Sequence, residues 1–77
     1  MNKQRRTKLE TIKSTLDAFK DTMQDICDQE QEAYDNMPES LQDSDRGCDM
    51  SDNVSDLEDA ISSMEDVISS LEEVLNR

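Results

Sequence analysis

The two cysteines are the residues of this chain that most readily suggest chemistry. Cys27 and Cys48 stand far apart in the sequence, and the chain contains no histidine. Their separation matches none of the common zinc motifs, and without histidine no Cys–His pair can form a nucleophile. Asp25 and Asp28 flank Cys27, and neighbouring carboxylates disfavour the thiolate that reactive cysteines need. Two isolated cysteines also provide no disulfide framework, which favours a reducing cytoplasm.

The acidic segment after residue 42 has the composition of a calcium-binding loop but not its register. An EF-hand loop that began at Asp43 would need glycine at its sixth position and glutamate at its twelfth. Cys48 and Val54 occupy these positions. We therefore predict no metal site and no cofactor, and we interpret the carboxylates of this segment as solvated: Asp43, Asp45, Asp49 and Asp52.

The remaining catalytic signatures need glycine-rich turns or an enclosed cleft. The chain has one glycine in 77 residues, which excludes the glycine-rich loops that cradle phosphate groups. Paired carboxylates catalyse reactions in clefts that exclude water, and a chain this short has little room for such a cleft. The sequence therefore predicts a protein that is not an enzyme.

Charge is distributed unevenly along the chain. Eight basic and 20 acidic residues give a net charge of −12, and 19 of the acidic residues lie within residues 14–76. Such an acidic body repels nucleic acids and anionic membranes, so we predict no direct DNA binding by it and no membrane association. The cations at the start, which we call the basic head, are either a solvated helix start or a site for a nucleotide ligand: Lys3, Arg5, Arg6 and Lys8.

Apolar residues at heptad spacing predict a long first helix. They recur at intervals of three and four residues, which places them at the a and d positions of a heptad, and they are Leu9, Ile12, Leu16, Phe19, Met23 and Ile26. Cys27 and Tyr34 fall at e and widen this stripe. Pro38 disfavours helical backbone at Met37. We therefore predict the first helix over residues 4–36, with a length of roughly 50 Å.

A seven-residue internal repeat predicts a second helix over residues 54–76. Its a positions are Val54, Ile61, Ile68 and Leu75, its d positions are Leu57, Met64 and Leu71, and its g positions are also apolar. This face is wider than the seam of a two-stranded coiled coil and suits a bundle of helices. Residues 37–53 are predicted to be a turn and an acidic loop, with one helical turn at 38–42 that folds Leu41 inward.

These elements predict an all-α fold and a single domain over residues 1–77. The expected architecture is an antiparallel helical hairpin that assembles into a coiled-coil or helical-bundle homo-oligomer, because two helices alone bury too little apolar surface. The predicted oligomer seam consists of Leu9, Ile12, Leu16, Phe19, Met23, Ile26, Val54, Leu57, Ile61, Met64, Ile68, Leu71 and Leu75.

The run from residue 30 to residue 42 reads E-Q-E-A-Y-D-N-M-P-E-S-L-Q. Together with the Leu-Glu-x-Ala-Ile repeat that follows, it resembles an uncharacterised family of small helical proteins from phages, prophages and bacterial hosts. The resemblance covers about residues 28–75 and is most specific over residues 34–39. It implies a small helical protein from a mobile genetic context, and it brings no catalytic or ligand-binding residues to this chain.

The leading functional hypothesis is a phage-encoded, non-enzymatic binding protein. It would act as a stoichiometric inhibitor of a host protein, in anti-defence or in host takeover, because an acidic helical surface can occupy a site built for phosphates. One alternative is an oligomeric sponge for a nucleotide signalling molecule that binds at the basic head. Another alternative is a small virion assembly or scaffold protein. The expected location is the cytoplasm, which is that of the host cell if the protein is phage-encoded.

The partner-binding surface is predicted at the turn between the two helices. Tyrosine is a frequent anchor in binding sites, and the connection is longer than two helices need to reverse direction. The predicted surface consists of Tyr34, Asp35, Asn36, Glu39, Asp43 and Asp45.

Overall fold

The computed structural model describes all 77 residues and contains three helices. They are α1 (Lys3–Asp35), α2 (Glu39–Gln42) and α3 (Asp45–Leu75). The Cys27 Sγ lies 3.8 Å from the Val54 carbonyl oxygen, and Lys13 pairs with Glu72 farther from the turn, so α1 and α3 run antiparallel. The Cα atoms span 59 × 14 × 14 Å. The predicted all-α helical hairpin is therefore confirmed, and it has the shape of a rod.

Local capping sets the ends of α1. The Asn2 Oδ1 accepts a hydrogen bond from the Arg5 amide at 2.9 Å, which satisfies one of the free N–H groups of the first turn. The helix ends at Asp35 with Asn36 as its C-cap, because Pro38 excludes helical backbone at the preceding residue. The observed helix agrees with the predicted range of 4–36 to within one residue at each end.

The start of α3 corrects the sequence prediction. The helix begins at Asp45, nine residues before the predicted start at Val54, so most of the predicted acidic loop at 37–53 is helical. The Ser44 Oγ caps the helix by accepting a hydrogen bond from the Gly47 amide at 3.3 Å. The heptad phase of the repeat also extends back through Met50 and Gly47, which lie at d and a positions.

Gly47 permits the tight corner between α2 and α3. It is buried, and a Cβ added there would lie 2.7 Å from the Leu41 carbonyl oxygen and 2.6 Å from the Gln42 carbonyl carbon. The Gln42 Nε2 fastens the corner to the end of α1 by donating to the carbonyl oxygens of Tyr34 and Met37 at 3.1 and 3.3 Å. The short helix at 38–42 was predicted, but its Leu41 is half exposed, and the expectation that it folds inward is wrong.

The core is small and is supplied mostly by α3. Its a positions Val54, Ile61 and Ile68 are buried, together with Cys27 from α1. Met23 and Leu57 pack against Cys27, Val54 and Ile61. With so few buried side chains, the contact between the two long helices is a single narrow seam.

The face that α1 turns toward α3 differs from the predicted one. Its a positions Leu9, Leu16 and Met23 are half buried, as expected, but the second buried row lies at e and not at d: Lys13, Lys20, Cys27 and Tyr34. A lysine can cover a seam because its alkyl stem packs while its ammonium group stays in water. The d residues of α1, which were predicted to share this seam, are turned away from α3: Ile12, Phe19 and Ile26.

Candidate functional surfaces

The seam between α1 and α3 has two chemically different edges. Along the first edge, the e positions of the two helices meet. Lys13 Nζ lies 3.3 Å from the Glu72 Oε1, and Glu58 is near enough to Cys27 to contribute to raising its pKa. We call this edge the ionic edge. Because d and e positions flank a on opposite sides of a helix, the d positions must line the second edge.

The second edge carries exposed apolar side chains from both helices. On α1, Ile12, Phe19 and Ile26 are 49%, 57% and 50% exposed, and on α3, Val67 is 50% exposed. Met64 and Leu71, at d positions of α3, are half buried on the same side. We call these six residues the apolar face. Beside it, at g of α1 and c of α3, stand exposed hydroxyl side chains: Thr15, Thr22, Ser63 and Ser70.

The outer faces of the two helices carry rows of carboxylates. Each row follows a spacing of four and three residues along one helix, so its members lie on one side. All are exposed: Asp21, Asp25, Asp28, Glu32 and Asp35 on α1, and Asp45, Asp49, Asp52, Asp56 and Asp59 on α3. The only carboxylates that pair with a cation are those of Asp17 and Glu72, both with Lys13. These acidic rows are therefore not neutralised within the chain, and both lie in the half of the rod nearer the turn.

The predicted partner-binding residues all lie around this turn. Tyr34 is half buried, and the other five are exposed. Asp35 ends α1 and accepts a hydrogen bond from the Gln31 Nε2 at 2.9 Å, and Asn36 is the C-cap. Glu39 begins α2, Asp43 is its C-cap, and Asp45 begins α3. Asp35 and Asp45 are thus also the ends of the acidic rows at the turn.

The sequence prediction missed the rows themselves, although their spacing was readable. The row on α1 was not singled out. The row on α3 was hidden because residues 45–53 were assigned to a loop, where a spacing of four and three has no structural meaning. Extending the helical phase back from Val54 through Met50 to Gly47 would have revealed it.

The basic head lies beside the C-terminus of α3. The Arg6 Nη1 donates to the Leu75 carbonyl oxygen, one of the carbonyl groups that lack a partner at a helix end. A cation there also interacts favourably with the helix dipole. Arg6 therefore has a structural role, whereas Lys3, Arg5 and Lys8 are exposed and remain available for a ligand.

The two thiols lie in different environments. Burial is the main cause that raises the pKa of Cys27, and the Glu58 and Asp28 carboxylates add to it. Cys48 is exposed on α3. No three His, Cys, Asp or Glu side chains converge as metal ligands. None of the three helices combines the length and the apolar composition that crossing a bilayer requires.

Comparison with protein-family models, with curated proteins and with solved structures finds no match to this chain. The phage-family resemblance therefore rests on the motif alone. The function has to be argued from the surfaces of the hairpin.

Proposed function

We propose that this chain is a non-enzymatic binding protein that occupies a basic surface of another protein and blocks it stoichiometrically. The observation that supports the proposal is the pair of acidic rows on the outer faces of α1 and α3. They consist of exposed carboxylates without intrachain cations, and they meet at the turn where the partner-binding residues were predicted.

The rows are costly to the fold, which favours a use for them. Like charges one helical turn apart destabilise a helix by about 0.2–0.5 kcal/mol per pair, and aspartate is among the weaker helix formers. Alternating acidic and basic residues would have given an equally soluble surface at lower cost. A basic partner surface would remove the repulsion and convert it into attraction on binding.

The geometry of a row suits a site built for a nucleic-acid backbone. From Asp21 to Asp35, a row spans about 21 Å and presents one carboxylate every ~5 Å. A nucleic-acid strand carries one phosphate per ~3.4 Å of helix axis, so the two charge spacings are similar in scale. The rigid helix also holds its charges in place before binding, which lowers the entropic cost of association.

On the motif resemblance alone, we extend the proposal to a phage-encoded protein that inhibits a defence or nucleic-acid-handling protein in the host cytoplasm. The nucleotide-sponge alternative has less support, since Arg6 of the basic head is already engaged by the Leu75 carbonyl group. No observation on the hairpin favours the virion-scaffold alternative.

The test is capture of a partner on immobilised protein, followed by an assay of that partner's nucleic-acid binding with the protein titrated in. Three variants are compared with wild type. One removes three charges from the α1 row (Asp21, Asp25 and Asp28 to Asn), and the matched control removes three charges from the other half of the rod (Glu65→Gln, Asp66→Asn and Glu73→Gln). The third is Tyr34→Ala.

The proposal expects capture to weaken with added salt, to fall at least tenfold in the α1-row variant and to persist in the control. Inhibition of the partner should also reach saturation at a fixed stoichiometric ratio of this protein to the partner. Tyr34→Ala should keep its helicity and weaken capture if the ring contacts the partner. Equal capture by the row variant and the control would refute a role for the rows, and nucleotide in the eluate would support the sponge instead.

A further inference from the structure

The hairpin exposes more surface than its size requires. Its accessible area is 5723 Å², whereas a compact monomer of 8.8 kDa exposes about 4,800 Å². The excess of about 900 Å² is close to the ~800 Å² that each partner buries in a stable interface of standard size. The exposed apolar side chains that contribute to this excess are concentrated on the apolar face.

The core of one chain is also too small to stabilise the fold well. Only four apolar side chains are buried. Chains of this size rarely gain more than about 3–5 kcal/mol of stability from a single core. Covering Ile12, Phe19, Ile26 and Val67 would about double the number of buried apolar side chains. Burial of this face against another molecule would therefore stabilise the fold.

Charge indicates which occupant fits. A second copy carries the same net charge of −12 and is repelled wherever acidic residues would meet. The apolar face itself holds no carboxylate, and the border beside its centre is uncharged at Thr15, Thr22, Ser63 and Ser70. The acidic row on α1 points away from the face, whereas toward the turn the border positions of α3 continue as Asp49 and Asp56. A basic partner would gain from carboxylates at the border of its docking site, whereas a like-charged copy requires their absence.

We infer that two copies of this chain pack their apolar faces together and form a four-helix bundle. Phe19 lies at the centre of this interface and becomes buried in it. Packed helices usually lie about 8–10 Å apart. Small side chains on the border permit this close approach, and they are Thr15, Thr22, Ser63 and Ser70. The acidic row on α1 and the outer carboxylates of the α3 row, Asp45, Asp52 and Asp59, remain on the outside of the bundle. The interface therefore leaves most of the proposed partner-binding surface free.

Sedimentation equilibrium of the full chain tests the assembly. Wild type should have twice the mass of one 8.8 kDa chain, and its melting temperature should rise with chain concentration, because dissociation accompanies unfolding. Phe19→Asp should shift the mass to that of a monomer or shift the dissociation constant at least a hundredfold. The matched control is Leu41→Asp, which introduces the same charge at a half-exposed leucine outside the face and should remain dimeric.

A tryptophan probe locates the interface even if the aspartate variant does not fold. The chain has no tryptophan, so Phe19→Trp and Leu41→Trp each report on one site. In the dimer, the Phe19→Trp fluorescence should be blue-shifted and protected from acrylamide, and both effects should be lost on dilution. The Leu41→Trp probe should be quenched at all concentrations.

Two results would overturn the inference. A wild-type chain that is monomeric and folded, with a melting temperature independent of concentration, would show that the face needs no cover. A dimer in which the Phe19→Trp probe is quenched as readily as the Leu41→Trp probe would show that the copies associate elsewhere. Neither result bears on the acidic rows, so the proposed function is tested separately.

Discussion

Replacing Gly47 by alanine sets two well-understood effects against each other. Alanine is more favourable than glycine in a helix by about 0.8–1.0 kcal/mol, so at an open helical position Gly47→Ala would stabilise the protein. At this corner, however, the new Cβ would lie 2.6–2.7 Å from backbone atoms of Leu41 and Gln42. Backbone carbonyl groups cannot rotate aside as a side chain can, so α2 would have to move.

The size of the effect follows from the two terms. Overpacking a buried site costs about 1–3 kcal/mol. The cost of Gly47→Ala should lie toward the upper end of this range, because the contacting atoms belong to the backbone and cannot rotate aside. After the gain in helix propensity is subtracted, we expect a net loss of about 1–2 kcal/mol. For a chain of this size, that corresponds to a decrease in melting temperature of about 5–15 °C.

Circular dichroism melting at a fixed chain concentration measures this loss. Ser51→Ala is the matched control, because Ser51 is exposed within the same helix and alanine there should be neutral or slightly stabilising, by at most ~0.5 kcal/mol. If Gly47→Ala melted at or above the wild-type temperature, the close α2–α3 corner and the start of α3 at Asp45 would both be wrong.

Three further changes have defined outcomes. Ile61→Ala should lower the free energy of unfolding by about 2–4 kcal/mol, since Ile61 is buried in the seam; urea denaturation showing a loss below ~0.5 kcal/mol would contradict its place in the core. Iodoacetamide followed by mass spectrometry should label the exposed Cys48 well before Cys27, whose pKa is raised by burial. The raised pKa means that folding disfavours the Cys27 thiolate. The free energy of unfolding should therefore be highest below the ordinary thiol pKa and should decrease as the pH rises through the raised value. Sodium chloride should raise the melting temperature, because carboxylates ~5–6 Å apart in the rows repel one another within the ~10 Å screening length at 0.1 M salt; a decrease with salt would indicate that attractive pairs dominate.

The sequence was sufficient for the first helix and for the hairpin. The uninterrupted heptad from Leu9 to Ile26 indicated the helix, and Pro38 indicated where α1 ends, because proline restricts the backbone of the residue before it. Residues 45–53 were harder, since aspartate, serine and glycine favour turns when they are considered alone. Capping by Ser44 and the packing of Gly47 against α2 outweigh those preferences, and neither effect can be read from composition.

The rotation of α1 about its own axis could not be read from the heptad. The stripe on α1 is apolar at d and carries Lys13, Lys20 and Cys27 at e, so apolarity alone favours a seam of a and d positions. Within one chain, the e positions pack instead, and Lys13 finds its partner on α3. The d positions of α1 therefore stay outside the seam between α1 and α3. The heptad pattern of one chain does not specify whether its d residues pack within that chain or against another molecule.

The antiparallel pairing of α1 and α3 also determines the order in which the chain can fold. The sequence separation of paired groups grows steadily away from the corner, from 8 residues between Gln42 and Tyr34 to 27 between Cys27 and Val54 and 69 between Arg6 and Leu75. Once the corner has formed, each further pair extends a closed hairpin by about one turn and costs little additional loop entropy. Folding can therefore advance from the corner toward the basic head, and fraying proceeds in the opposite direction. A partner bound by the acidic rows would thus contact the part of the rod that forms first and opens last.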